Sequence, residues 1–102
     1  MNKIQLIKRK DANIPMGQKI SVILYTRPGC HLCEVAKTQI LAAQCAELYE
    51  LQEIDIETDP ELVERYGTLI PVITVNGEDR FRYRVSPAAF RESVIKAAAA
   101  SN

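Results

Sequence analysis

Two cysteines three residues apart, Cys30 and Cys33, are the pair in this 102-residue chain whose spacing points to chemistry. They follow an apolar run, Ile20, Val22, Ile23 and Leu24, that reads as a buried strand. They open a stretch from His31 to Asp59 without glycine or proline, whose first half reads as a helix. Pro28-Gly29 marks the turn between the two. Cys30 therefore stands where a strand has ended and a helix begins. Positions three apart on a helix bring Cβ atoms to roughly 5–6 Å, and a disulfide needs about 3.5–4.5 Å. A small adjustment of the first turn opens or closes such a bridge without remodelling the fold. A bridge over so short a loop restrains little of the unfolded chain. Spacing and placement together point to a redox couple rather than a structural staple.

The roles of the two thiols follow from their places. Only a thiolate attacks a disulfide, and a helix N-terminus stabilises negative charge through its free N–H groups and dipole. Cys30 is thus the expected nucleophile, with Arg27 adding a nearby positive charge. Cys33, one turn deeper, is expected to resolve the mixed disulfide by attacking Cys30. His31, next to Cys30, is expected to be partly exposed and to tune the thiolate modestly. The third cysteine, Cys45, lies twelve residues beyond Cys33, about 18 Å along a continuous helix. Core packing is its expected role.

These residues need elements to hold them. The sequence predicts a strand at Ile20–Tyr25 and a helix from about His31 to Leu48, then a strand over Leu51–Ile56. A short helix follows from Asp59 to Gly67, with Asp59 as N-cap, Pro60 in the first turn and Gly67 as stop. A strand entered through Pro71 (Ile70 to Val75) leads through Asn76-Gly77 into an antiparallel partner over Arg80–Val85. Ser86-Pro87 repeats the cap-then-proline start of a final helix, Ala88–Ala100. The order is β-α-β-α-β-β-α. A right-handed crossover makes the first two strands parallel, and the result is an α/β domain: a mixed four-strand sheet with helices on both faces. Residues 20–102 form this domain. Residues 1–19 form an N-terminal tail, in which Ile4, Leu6 and Ile7 are candidates for a short extra strand.

Composition sets the outer bounds. The apolar fraction is 47% and the formal net charge is zero, so no overall charge draws nucleic acid or a membrane surface. Charge is uneven along the chain: Glu47 to Glu64 holds eight acids and no base, and Arg65 onward holds six bases against three acids. Solvated faces account for both runs, and the Arg80, Arg82, Arg84 row suits either an anionic partner or a charged edge strand. Three cysteines are too few for a disulfide scaffold. The opening residues lack a signal peptide's apolar region, and no run is long enough to span a bilayer. The expectation is a soluble, cytoplasmic monomer in a reducing compartment.

With the elements placed, a resemblance emerges. Tyr25-Thr26-Arg27-Pro28-Gly29-Cys30-x-x-Cys33, followed by Ala36-Lys37, resembles the active-site segment of glutaredoxins. Ile70-Pro71-Val72, followed by Asn76-Gly77, is similar to the cis-proline loop and strand of the thioredoxin superfamily. Asp55-Ile56 running into Asp59-Pro60-Glu61-Leu62 and Tyr66-Gly67 is similar to a small bacterial glutaredoxin-like group. The likeness covers roughly Ile20 to the C-terminus. It implies a thioredoxin-like fold, a cis bond before Pro71 facing Cys30, and substrate contacts from Arg27, Ile70 and Pro71. It implies a thiol-disulfide oxidoreductase acting on a disulfide-containing protein or a small thiol substrate, with no bound cofactor. Two departures bear on the electron donor. His31-Leu32 replaces the Pro-Tyr usual between the cysteines, and the glycine pair followed by Asp that holds glutathione is absent from Asn76-Gly77-Glu78-Asp79-Arg80. Glutathione and a thioredoxin-reductase system both stand as donors. The alternatives to disulfide turnover are a binding module on this fold and a metal or cluster carrier. Zinc or iron–sulfur sites take about four protein ligands. One C-x-x-C, the adjacent His31 and the remote Cys45 do not build such a site within one chain, so no metal is expected, and a cluster shared between two chains is the form the carrier alternative takes.

Overall fold

The computed structural model describes residues 19–100. The element order is β1 (Ile20–Thr26), α1 (His31–Ala42), β2 (Tyr49–Asp55), α2 (Pro60–Tyr66), β3 (Val72–Val75), β4 (Glu78–Arg82) and α3 (Pro87–Ala100). Short 3-10 turns at Ala46–Leu48 and Ile56–Thr58 precede and follow β2. The strands form one sheet in the order β2-β1-β3-β4. β1 pairs parallel with β2 and antiparallel with β3, and β3 pairs antiparallel with β4. This is the expected α/β architecture of a thioredoxin-like fold. The expected tail falls, up to residue 18, outside the described residues, and with it the strand considered at Ile4, Leu6 and Ile7.

β1 is a central strand, and its side chains feed two cores. Val22 and Leu24 lie opposite Val75 and Ile73 in the antiparallel register. They join Ala36 and Ile40 of α1 and Phe90 and Val94 of α3 in the larger cluster. Phe90 is fully buried and meets Tyr49 edge-on, with ring centroids 5.3 Å apart. Tyr25, on the opposite face and in register with Val72, packs with Ile56 and Tyr66 in the smaller cluster under α2. The Tyr25 and Tyr66 rings lie 4.5 Å apart. Burial, foremost, raises the Tyr25 hydroxyl's pKa. Helices therefore cover both faces, and α1 is fixed to the sheet by its Ala36–Ile40 side.

Element ends follow local chemistry. The Asp59 carboxylate accepts the Glu61 N–H at 2.9 Å, and the Ser86 hydroxyl accepts the Ala89 N–H at 3.1 Å. Both capping expectations hold. Asn76 and Gly77 both have positive φ and form the two-residue turn between β3 and β4, the backbone such hairpins favour. The Asn76 amide oxygen also accepts the Ser21 N–H at 3.0 Å, tying the hairpin to β1.

Several element ends differ from expectation. α1 ends at Ala42, not near Leu48, because Gln44 adopts a left-handed φ of 57° after Ala43. Cys45 therefore lies beyond α1, at the start of a 3-10 turn, and helix distance is not what separates it from Cys33. It is nonetheless 1% exposed and packs in the larger core. β2 starts earlier, with Tyr49 buried, and releases Ile56 to the following turn. β3 begins after Pro71, at Val72. β4 ends at Arg82, not Val85, because Tyr83 takes a φ of 67° and the Arg84 N–H turns back to the Arg82 carbonyl at 2.6 Å. The expected alternation of Phe81, Tyr83 and Val85 breaks there: Val85 is buried, while Tyr83 is 47% exposed.

Candidate active site

The site grows from the β1–α1 junction. β1 delivers the chain to Thr26, and Gly29 takes a φ of 77°, a backbone region that costs glycine little. The Cys30 N–H closes this turn on the Arg27 carbonyl at 3.3 Å. Cys30 is then the N-cap of α1. Its sulfur accepts the Cys33 N–H at 3.1 Å, the role a serine or aspartate oxygen plays at other helix starts. Cys30 and Cys33 are bridged, with Cα atoms 5.3 Å apart. Cys30 is half-buried, whereas Cys33 is 2% exposed. Cys30 is thus the more exposed member of the bridged pair.

A cleft of about 690 Å3 opens beside the bridge, lined by Thr26–Cys30, Cys33 and the outward side of α1. Arg27 lines it. Its Nε is buried without a hydrogen bond, and the Glu57 carboxylate lies 3.9 Å away. On the far wall Lys37 meets Glu53 at 2.6 Å. That hydrogen bond, foremost, raises the pKa of the exposed Lys37. Lys37 and Glu53 were not among the sequence candidates. The signal available was Lys37's place one turn past Cys33, on the side of α1 that faces β2.

The Ile70–Pro71 bond is cis, and Pro71 is fully buried. Because β3 runs antiparallel to β1 with Val72 opposite Tyr25, Pro71 enters the sheet at the end where β1 passes into Arg27 and the cysteine turn. The Pro71 carbonyl accepts the Tyr83 N–H at 2.9 Å. The Tyr83 hydroxyl donates to the Thr68 carbonyl at 3.2 Å. Tyr83 thus grips the proline loop at both ends, while the Ile70 N–H and C=O make no hydrogen bond among the described residues. Sequence reasoning missed this role, since a bulky residue at positive φ is an outlier that no residue pattern announces. His31 is exposed. Among the described residues no group of three or more His, Cys, Asp or Glu side chains is placed to hold a metal ion. None of the helices described is long and apolar enough to cross a membrane.

The model of the glutaredoxin-like domain (DUF836) matches residues 21–97, from β1 into α3. The chain belongs to this glutaredoxin-like family. No curated protein matches it. Among solved structures, protein XcR50 from X. campestris shares 23% identity, with 74% of this chain and 96% of that chain covered and a TM-score of 0.64. Protein Ne2328 from Nitrosomonas europaea shares 21%, covering 82% and 98%, also at 0.64. Mitochondrial thioredoxin 3 from Saccharomyces cerevisiae, in its oxidised form, shares 13%, covering 79% and 82%, at 0.58. At these identities the likeness establishes the fold. The glutaredoxin-like chain adds to it a C-x-x-C pair at disulfide distance.

Proposed function

We propose that this protein is a thiol-disulfide oxidoreductase that uses the Cys30–Cys33 pair. One observation carries the reading: a half-buried cysteine at a helix start, its sulfur receiving the Cys33 N–H at 3.1 Å, bridged to a buried one. A donor aimed at Cys30 stabilises its thiolate. That thiolate attacks one sulfur of a substrate disulfide, and the other substrate sulfur leaves as a thiolate and takes up a proton. The Cys33 thiolate then attacks the Cys30 sulfur, releasing the second substrate thiol. Two electrons pass to the substrate, and Cys30 and Cys33 end bridged. A thiol donor, glutathione or a thioredoxin-reductase system, returns the pair to the dithiol. No cofactor or metal remains bound through the cycle.

Arg27, which lines the cleft, places a positive charge beside Cys30 for the substrate to meet. Ile70, ahead of Pro71, offers its N–H and C=O to an extended substrate, in the manner of strand addition. The substrate class is a disulfide-containing protein or a small thiol compound, handled by a cytoplasmic monomer without nucleic-acid or membrane partners. Reduction of insulin by dithiothreitol tests the reading. The wild-type protein accelerates it and Cys30→Ser does not; a wild-type protein without effect would refute the assignment.

A further inference from the structure

A second groove, of about 420 Å3, lies on the other side of α1's start from the cysteine cleft, between α1, the end of β4 and the first turn of α3. We infer that this groove receives an apolar side chain of a polypeptide substrate, with Arg84 pairing a carboxylate beside it. The inference rests on the disulfide-exchange reading and names its substrate class: an extended, acidic-apolar peptide segment carrying the disulfide.

Three features support this occupant. The first is position. Leu32, which stands between the two cysteines and is 37% exposed, forms one wall. Tyr83 forms another, and its N–H is bound to the Pro71 carbonyl. The groove is therefore continuous with both the reacting pair and the proline loop. The second is chemistry. Val35, Phe81 and Ala89 complete an apolar lining, and an exposed apolar groove of this size suits a bulky side chain. The third is charge. Arg84 is the single charged residue of the lining. Its neighbours along β4 are engaged, Arg80 by Glu78 and Arg82 by Asp79. Arg84 has no ion-pair partner among the described residues. A free guanidinium at the rim of an apolar groove selects a carboxylate next to an apolar residue.

Two disulfide-bonded peptides of one length, with Phe-Glu or Ser-Lys beside the reacting cysteine, test the proposal. The pre-reduced protein supplies both electrons in a single turnover: its dithiol becomes the Cys30–Cys33 bridge and the peptide disulfide becomes two thiols. The readout is the ratio of the two rates within each protein, so that any general loss of reactivity cancels. The wild type is expected to favour Phe-Glu at least tenfold. Arg84→Glu is expected to invert the preference, and Ala89→Trp, which fills the groove from an exposed position, to bring the ratio close to one. Ratios near one in the wild type, or unchanged in both variants, would overturn the groove. 5,5′-Dithiobis(2-nitrobenzoic acid), which carries no peptide, separates this failure from failure of the redox reading. If the wild type does not reduce it, the redox reading falls. The groove is then judged by binding of the Phe-Glu peptide with serine for cysteine to the oxidised protein. Binding weakened tenfold by Arg84→Glu upholds the groove, and absent or unaltered binding overturns it.

Discussion

Reducing the Cys30–Cys33 bridge is expected to leave the fold intact and to change its stability only modestly. The bridge closes a sequence separation of three, and chain entropy assigns so short a loop about 2 kcal/mol of stabilisation at 25 °C. Reduction brings an opposing contribution. The Cys30 sulfur already accepts the Cys33 N–H at 3.1 Å, and a hydrogen bond to a charged group contributes roughly 1.5–3 kcal/mol. The two effects are similar in size and opposite in sign, so the two forms differ by about 2 kcal/mol or less. Neither cysteine of the pair belongs to an apolar cluster of the core. At roughly 4–8 °C per kcal/mol for a domain of this size, the melting temperatures fall within about 15 °C of each other. The pH dependence has a definite sign. A thiolate favoured in the folded state stabilises it fully above the free-thiol value of about 8.5 and ceases to do so as pH falls through the lowered value. The bridged sulfurs do not titrate, so the oxidised form gains on the reduced form as pH drops. Thermal unfolding followed by circular dichroism, with and without a phosphine reductant from pH 5 to 9, measures both effects. A reduced protein that unfolds at room temperature, or melts more than about 25 °C lower, would make the bridge a staple and refute the reasoning.

Iodoacetamide added to the reduced protein is expected to label Cys30 first, with a rate that titrates below the free-cysteine value of about 8.5. Cys45, 1% exposed and with its thiol pKa raised by burial, is expected to react only on unfolding; peptide mapping checks both. Phe90→Ala empties the centre of the larger core and is expected to cost roughly 3–5 kcal/mol in a urea titration. That is a large share of the about 5–15 kcal/mol of a typical domain.

What was legible in the sequence was whatever a residue type signals locally. Pro28-Gly29, Asp59-Pro60, Asn76-Gly77 and Ser86-Pro87 each announce a turn or cap by their own backbone chemistry, and each stands where expected. The apolar run at Ile20–Leu24 placed the central strand, and with it the start of α1 and the cysteine pair. Two of the misplaced ends, those of α1 and β4, are places where an ordinary residue does a glycine's work. Gln44 and Tyr83 adopt left-handed φ, and nothing in their side chains says so. The β4 pattern misled for a second reason: a register shift between Ile73 and Thr74 breaks the alternation of the edge strand. Of the site, the cysteines and Arg27 were legible from spacing, and Pro71 from resemblance. The Lys37–Glu53 pair and Tyr83's hold on the proline loop join residues that only the tertiary fold brings together.

The central claim is that Cys30 attacks and Cys33 resolves. Its most direct test is to mix pre-reduced Cys33→Ser protein with a peptide disulfide, quench with acid, and map the adduct by mass spectrometry. The account predicts a stable mixed disulfide on Cys30 in near-stoichiometric yield, released by the wild-type protein, in which Cys33 is present. An adduct confined to Cys45, or none at all while the free peptide disulfide remains intact, would contradict it.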